Sequence, residues 1–199
     1  MKNENALIVF QKNAELGKVK TRLAATIGDK RALEIYQSLL LHTYRIIEKL
    51  EDIDTVIFYS DYVEKGTLDQ FQPDSKEIQT GKDLGERMAN AFRLLFDQGY
   101  KKVVIIGTDC PEISATEITE AILTLDQNEV CIGPALDGGY YLLGMCRFYD
   151  SIFQNIPWST SNVFSRTIKL LNRHQISYGL LKTLHDIDTE EDLQAFFPK

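Results

Sequence analysis

The stretch Val103–Gly107 (VVIIG) is the most clearly buried strand pattern of the chain, and Thr108–Pro111 (TDCP) follows it directly. Short apolar runs of this kind are typical of strands that are covered on both faces of a sheet. In an open α/β sheet, ligands lie in the crevice beyond the carboxyl ends of the strands. The residues that follow each predicted strand are therefore the candidates for a functional site.

Strands and helices alternate on both sides of this stretch. Further strands are predicted at Ala6–Phe10, Thr55–Ser60, Glu77–Gln79, Val130–Pro134, Tyr140–Met145 and Ile176–Leu181. Helices are predicted after Asp29, over Leu84–Gln98, after Ser114, over Ser161–His174 and over Thr189–Phe197. Such alternation predicts βαβ units, and hence a mostly parallel sheet with helices on both faces. We expect an α/β fold with three layers and a mixed sheet, in a single domain over residues 1–199.

Composition narrows the class of protein. The chain has 199 residues, and its 22 Lys and Arg against 29 Asp and Glu give a net charge of −7. This balance argues against nucleic-acid and anionic-membrane binding, since such proteins usually carry a basic face. An apolar run long enough for a membrane span is lacking. The polar N-terminus and the widely spaced cysteines lead us to expect a cytoplasmic protein. The oligomeric state stays open, with a homodimer as one alternative.

A basic loop follows the first predicted strand. Lys12, Lys18, Lys20 and Arg22 place four cations within eleven residues, around Gly17. Lys and Arg neutralise phosphate oxygens, and a glycine lets backbone N–H groups approach a ligand. The loop lacks the GxxxxGK[ST] pattern, yet it belongs to an eighteen-residue segment without clear periodicity, and such segments are often functional. It predicts a site for a di- or triphosphate; the alternative is a solvated basic loop.

Carboxylates follow two of the predicted strands. Asp109 stands at the end of the central strand, where a carboxylate can hold Mg²⁺ together with substrate phosphates. Asp186 and Asp188 follow the last strand, and they share a face if the chain is extended there. The three aspartates predict a divalent-metal site. The alternatives are that Asp109 starts a turn before Pro111 and that Asp188 or Thr189 caps the final helix.

Two glycine-containing segments are weaker candidates. Gly81 and Leu84-Gly85 open a helix, whose N-terminus can receive an anion or the edge of a nucleobase. The segment Asp137–Gly139 allows the backbone to approach a ligand closely, but Asp-Gly is also a strong signal for a hairpin turn. Taken from the residues alone, Trp158 indicates packing.

Together these segments resemble the radical-SAM/selenodomain-associated transferase 1 family, glycosyltransferase-like proteins that are also described as arsenosugar-biosynthesis glycosyltransferases. The resemblance runs in order from Lys12 to Thr189. The segments that carry it are Lys12…Gly17–Leu23, Gly81…Leu84–Met88, Ile106–Pro111, Gly133-Pro134…Asp137–Tyr141, Trp158–Thr160 and Asp186–Thr189.

The resemblance implies the Rossmann-like GT-A fold of the nucleotide-diphospho-sugar transferases. It implies a nucleotide site made of Lys12, Gly17, Lys18, Lys20, Thr21, Arg22, Gly81, Leu84 and Gly85. It places the acceptor or the sugar against Asp137, Gly138, Gly139 and Trp158. It implies that Asp109, Asp186 and Asp188 are the ligands of a bound Mg²⁺ or Mn²⁺ ion. Lys20, Arg22 and Asp109 are the expected catalytic residues.

We therefore expect a metal-dependent transferase that uses a nucleotide or nucleotide-sugar donor and a small-molecule acceptor. The leading prediction is a glycosyltransferase-like enzyme that acts on a nucleotide-diphospho-sugar. A guanylyl- or cytidylyl-type nucleotidyltransferase that releases pyrophosphate is an alternative, because both reactions need a metal-held diphosphate leaving group. A nucleotide-binding protein that retains the fold without turnover is another. A phosphatase or kinase is least favoured, because neither a Walker motif nor a kinase signature is present.

Overall fold

A computed structural model describes residues 3–65 and 70–196 of the chain. The strands are β1 (Asn5–Gln11), β2 (Ile53–Tyr59), β3 (Ser75–Ile78), β4 (Lys102–Ile106), β5 (Val130–Pro134), β6 (Tyr140–Met145) and β7 (Tyr178–Leu180). Within the described residues these seven strands form one sheet in the order β3-β2-β1-β4-β6-β5-β7. Strand β6 is antiparallel to β4 and β5, and the other pairings are parallel. The predicted mixed, mostly parallel sheet is confirmed.

Helices cover both faces of this sheet. They are α1 (Thr21–Ile27), α2 (Asp29–Ile47), α3 (Leu84–Asp97), α4 (Ala115–Thr124), α5 (Val163–Arg173) and α6 (Glu190–Phe196), with a 3₁₀ turn at Asp150–Phe153. Residues 1 and 199 of the predicted domain and Phe197 of the predicted last helix lie outside the described residues. Among the helices that the structure describes, none is both long and apolar enough to cross a membrane.

The alternation of side chains along β1 divides the core into two apolar layers. Ala6 and Ile8 join the cluster beneath α3 and α5, whereas Leu7 and Val9 join the cluster beneath α2 and α4. Successive side chains of a strand point to opposite faces, so a run that is apolar at every position is buried on both sides. The sheet is thus the middle of three layers.

Two helix starts follow directly from capping residues. The Asp83 side chain accepts a hydrogen bond from the Glu86 N–H at 2.9 Å, and it fixes the start of α3 at Leu84. Ser114 and Glu117 form a capping box at the start of α4, the helix predicted after Ser114. Such side chains satisfy the backbone N–H groups that a helix leaves free in its first turn.

The segment predicted to lack regular structure contains a helix. Helix α1 occupies residues 21–27, between the basic loop and α2. Its N-cap residue is Lys20, which has left-handed backbone angles (φ 48°, ψ 43°) and no capping side chain. Gly28, with φ 82°, ends α1 and precedes α2. Because α1 has only seven residues and no N-cap signal, the sequence pattern did not indicate it.

Candidate functional site

The carboxyl ends of six strands and the start of β6 lie at one edge of the sheet, because only β6 runs in the opposite direction among the described strands. The loops after β1, β3, β4, β5 and β7 therefore emerge on the same side. Three strand spacings of about 4.8 Å separate β3 from β4, a span of about 14 Å. Each of the predicted site segments except Trp158 begins at this edge.

Lys20 lies at the centre of the candidate site. Its ammonium is 2.6 Å from Asp109 Oδ1 and 3.1 Å from Asp188 Oδ1, and it donates to the Ile187 carbonyl at 2.5 Å. Only 3% of the Lys20 side chain is exposed. Burial alone lowers the pKa of Lys20, but the charges of Asp109 and Asp188 outweigh it and raise the pKa above its ordinary value. The lysine therefore stays protonated.

The segment after β7 returns to β4 and delivers the second pair of aspartates. Leu184 exchanges backbone hydrogen bonds with Pro134 and Leu136, and the Ile187 N–H then donates to the Asp109 carbonyl at 3.0 Å. Because of these hydrogen bonds, the segment after β7 runs from the edge of the sheet past the end of β5 to the end of β4. The structure thus brings Asp186 and Asp188 beside Asp109.

Asp186 is the carboxylate of the site with an unsatisfied oxygen. Its Oδ1 atom is buried and has no hydrogen-bond partner. Burial, followed by the negative charges of Asp109 and Asp137, raises the pKa of Asp186 to about 7, although Lys20 opposes the rise. A buried acceptor without a donor costs free energy, and a bound cation would remove that cost.

The donor set fits a divalent cation, since carboxylate oxygens are the ligands that Mg²⁺ and Mn²⁺ prefer. In residues 3–65 and 70–196, however, no three His, Cys, Asp or Glu side chains are already arranged to hold a metal ion. The ammonium of Lys20 bridges Asp109 and Asp188 instead. The three-aspartate metal site therefore stays a prediction.

The start of the basic loop is held rigidly by Tyr36 of α2. The Tyr36 hydroxyl accepts from the Lys12 N–H and donates to the Lys12 carbonyl, both at 2.9 Å. The next residue, Asn13, is buried and binds the loop after β2 through the Ser60 hydroxyl and the Tyr62 carbonyl. These contacts fix the backbone while the Lys12 side chain stays exposed to solvent.

Four other predicted residues of this segment, Gly17, Lys18, Thr21 and Arg22, lie at the surface. Gly17 has φ 74°, which favours glycine, and Lys18 pairs with Glu15 at 2.7 Å. Thr21 opens α1 and is exposed. The Arg22 guanidinium is 3.7 Å from Asp188 Oδ2 and 70% exposed. Lys20 and Arg22 thus reach the aspartates, whereas Lys18 engages an acidic residue of its own loop.

The glycines that open α3 are in contact with Trp158. The indole of Trp158 packs on Gly85, and it also stacks against Phe153 of the 3₁₀ turn. Gly81 accepts from the Arg87 side chain, and it has no room for a Cβ because the Arg87 N atom would lie 2.7 Å away. Leu84 beside them is exposed. The structure therefore places Trp158, expected at the acceptor, against the segment expected at the nucleobase.

Asp137–Gly139 forms the hairpin turn between β5 and β6. The Asp137 side chain accepts from the Gly139 N–H at 2.8 Å. Gly138 has φ 88°, and a Cβ there would lie 2.1 Å from the Ser161 carbonyl oxygen. The close contact with Ser161 therefore explains why a glycine stands at position 138. Asp137 also adds negative charge near Asp186, so the turn belongs to the acidic side of the site.

Sequence reasoning missed three contributors to this geometry. Tyr36 looked like one more apolar position of its helix, Asn13 like a neutral loop residue, and the Ile187 backbone carried no signal. A tyrosine within an apolar stripe was the available clue, because its hydroxyl needs a partner when it is buried. Cys110 lies nearby, and burial raises the pKa of its thiol to about 12.

The fold is that of nucleotide-sugar transferases and nucleotidyltransferases. Residues 43–160, more than half of the chain, match the model of the family DUF2064, described as "Uncharacterized protein conserved in bacteria". The chain belongs to this family. Its narrower resemblance to the radical-SAM-associated transferases stays a prediction. A search of curated proteins found no match.

Solved structures agree with this placement. A Desulfovibrio desulfuricans G20 protein, provisionally assigned as a nucleotide-diphospho-sugar transferase, has a TM-score of 0.89 and 32% identity, over 98% of this chain and 87% of that chain. CMP:2-keto-3-deoxy-manno-octonic acid synthetase, solved with CTP, has a TM-score of 0.60 and 9% identity, over 96% of both chains. Rv0371c of Mycobacterium tuberculosis H37Rv, solved with manganese, has a TM-score of 0.58 and 12% identity, over 100% of both chains. The last two establish a likeness of fold alone.

Proposed function

We propose that the protein is a metal-dependent transferase that acts on a nucleotide-diphospho-sugar and passes the sugar to a small-molecule acceptor. The observation that carries this proposal is the meeting of Lys20, Asp109 and Asp188 at the carboxyl edge of the sheet. The 32%-identical relative of the same fold supports a nucleotide-sugar donor.

Each side of the site has a role in this proposal. Lys12, Gly17, Lys18, Lys20, Thr21 and Arg22 bind the diphosphate, and Gly81, Leu84 and Gly85 border the nucleobase. Asp137, Gly138 and Gly139 would face the sugar or acceptor, whereas Trp158, which packs on Gly85, would lie between that side and the nucleobase. Lys20, Arg22 and Asp109 are the proposed catalytic residues, because the two cations and a metal ion held by Asp109 would stabilise the charge that develops as the sugar–phosphate bond breaks.

Asp109, Asp186 and Asp188 are the proposed ligands of Mg²⁺ or Mn²⁺. When bound, the cation would stabilise negative charge on the leaving diphosphate. The manganese-bound structure of Rv0371c supports a divalent cation in this fold. Positive charge from the loop then adds to that of the metal, and this explains how a chain of net charge −7 can bind a polyphosphate.

Nucleotidyl transfer is the second candidate. The resemblance in fold to a synthetase solved with CTP favours it. In that reaction an acceptor attacks the α-phosphorus of a triphosphate, and pyrophosphate leaves. Both reactions use the same loop and metal, but they release different products, a nucleoside diphosphate in one and pyrophosphate in the other.

A thermal-shift screen of nucleotides and nucleotide sugars, with and without Mg²⁺ or Mn²⁺, tests the proposal. A ligand at 100 times its Kd should stabilise the fold by about 2.7 kcal/mol. Hits are then incubated with candidate acceptors, and the released diphosphate or pyrophosphate is measured. A metal-dependent shift without product would indicate a nucleotide-binding protein without turnover. Failure of every nucleotide to give a metal-dependent shift contradicts the proposal.

A further inference from the structure

The ammonium of Lys20 has no N–H group left for a ligand. A lysine ammonium carries three donors and no acceptor. Asp109 Oδ1, Asp188 Oδ1 and the Ile187 carbonyl lie 2.6, 3.1 and 2.5 Å from Lys20 Nζ. A phosphate oxygen can therefore bind the Lys20 ammonium only if the hydrogen bond to one of these three acceptors breaks.

The backbone of Lys20 is held in a conformation that lysine rarely adopts. Its φ of 48° and ψ of 43° lie in the left-handed region, which is unfavourable for a residue other than glycine. Such a conformation persists only where the surroundings determine it. The buried side-chain contacts and the hydrogen bond from the Ala24 N–H to the Lys20 carbonyl both hold this residue. Release of the side chain would therefore remove part of the constraint on the backbone that joins the basic loop to α1.

The three aspartates differ in the number of cationic side chains that neutralise their charge. Lys20 forms ion pairs with Asp109 and Asp188, and Arg22 forms a second ion pair with Asp188 at 3.7 Å. Asp186 Oδ1 has no hydrogen-bond donor among the residues that the structure describes. If Lys20 moved away, Asp188 would keep Arg22, whereas Asp109 would lose its 2.6 Å ion pair. Asp109 and Asp186 would then be left as two carboxylates in need of a cation.

We propose that Lys20 is an internal counter-ion which competes with the divalent cation for Asp109, and which passes to the polyphosphate when the metal binds. This inference rests on the proposed function for the identity of the ligands. It makes metal and nucleotide binding mutually favourable, since each removes a partner from the resting ion pair and such coupling is reciprocal. In the resting protein, the same pair holds Asp109 and Asp188 in place.

The first test is a titration of the protein with Mn²⁺ alone. Binding is measured by calorimetry or by the electron paramagnetic resonance signal of the free ion. Lys20→Met keeps a side chain of similar length and removes the competing charge, so we expect it to bind Mn²⁺ at least tenfold more tightly than the unmodified protein. Lys102→Met is the matched control, because Lys102 also pairs with an aspartate and a carbonyl (Asp126 and Ile122) at the opposite end of β4. It should leave Mn²⁺ affinity unchanged.

The outcomes separate this inference from the proposed function. If Asp109→Asn abolishes Mn²⁺ binding and Lys20→Met leaves its affinity unchanged or lower, the competition is disproved while the metal site stands. If Mn²⁺ binds neither the unmodified protein nor Lys20→Met, the metal dependence in the proposed function fails, and the competition fails with it.

A second measurement uses the unmodified protein, in case Lys20→Met does not fold. Amine acetylation, read by mass spectrometry, reports how accessible each lysine is. Lys20 should be protected without metal and should become modified as Mn²⁺ saturates the protein, with Lys169, exposed on α5, as the internal reference. Protection of Lys20 that persists at saturating Mn²⁺ overturns the proposal.

Discussion

Trp158 lies against Gly85 so closely that a Cβ built on Gly85 would stand 2.1 Å from Trp158 Nε1. The two residues are 73 positions apart in the sequence, yet they form one surface beside the start of α3. A glycine inside a helix ordinarily weakens it. At this position the glycine is required because the indole occupies the space of a side chain.

Gly85→Ala is expected to displace the indole. Overpacking typically costs about 1–3 kcal/mol, partly offset by up to about 1 kcal/mol of better helix propensity. We expect the free energy of unfolding, measured in urea, to fall by about 1–2 kcal/mol, together with weaker nucleotide binding. Gly107→Ala is the control, because no heavy atom lies within 4 Å of its added Cβ. Equal stability of the two variants would contradict the packing argument.

Asp109→Asn should remove metal-dependent nucleotide binding and lower turnover by about 10²-fold or more, because a group aimed at the developing charge is lost. Calorimetry with and without Mg²⁺ measures the binding. Asp126→Asn breaks the pair between Asp126 and Lys102 at the other end of β4. This variant should retain both metal-dependent nucleotide binding and turnover. Mg²⁺-dependent affinity that survives in Asp109→Asn would exclude this aspartate as a ligand.

Tyr36→Phe removes the hydroxyl that binds both the N–H and the carbonyl of Lys12. Because these backbone groups lose their partner, we expect a loss of about 1–3 kcal/mol in the free energy of unfolding. Nucleotide affinity should also fall, since the loop must be ordered on binding. Tyr62→Phe, whose half-exposed hydroxyl meets only Glu15 among the described contacts, should change stability by less than about 0.5 kcal/mol.

Glu129 should make the stability of the protein dependent on acid pH. Hydrogen bonds from the Tyr149 hydroxyl and the Ser177 N–H, assisted by Arg147, lower the pKa of Glu129 from 4.5 to about 2. A lowered folded-state pKa stabilises the protein above pH 4.5, and this contribution is lost as the pH falls from 4.5 to 2. After allowance for solvent screening, Glu129→Gln should cost about 1–2 kcal/mol at pH 7.

Chemical unfolding from pH 7 to pH 3 measures the effect, and the difference between Glu129→Gln and the unmodified protein should shrink across this range. Glu34→Gln, which breaks an exposed pair with Arg31, serves as the control and should show no such convergence. A constant difference at every pH would mean that the charge of Glu129 contributes nothing.

Local signals predicted most of the fold. The bounds of β5 and β6 coincide with the prediction, and α3 begins at Leu84 because the Asp83 cap is readable from sequence. Helix α1 escaped prediction because its N-cap, Lys20, has a left-handed conformation and its side chain binds Asp109 and Asp188, which are distant in the sequence. Local pattern carries no information about such contacts.

The candidate site was predictable as a set of residues but not as an arrangement. Strand ends indicated Asp109, Asp186 and Asp188, since topology gathers them at one edge. That Lys20 would bridge two of them, and that Asp186 Oδ1 would lack any partner, depends on backbone bonds such as that from Ile187 to Asp109. These form between segments far apart in the chain, and no spacing encodes them.

The pair between Lys20 and Asp188 spans 168 positions, and this distance bears on protein synthesis. The first strands and helices can begin to associate while the ribosome is still translating, because domains start to form from the N-terminal side. Lys20 can pair with Asp109 first, but its second carboxylate partner becomes available only when Asp188 has emerged. The candidate site can therefore be completed only after residue 188 has been made, and a premature stop before that residue would leave a sheet without a complete site.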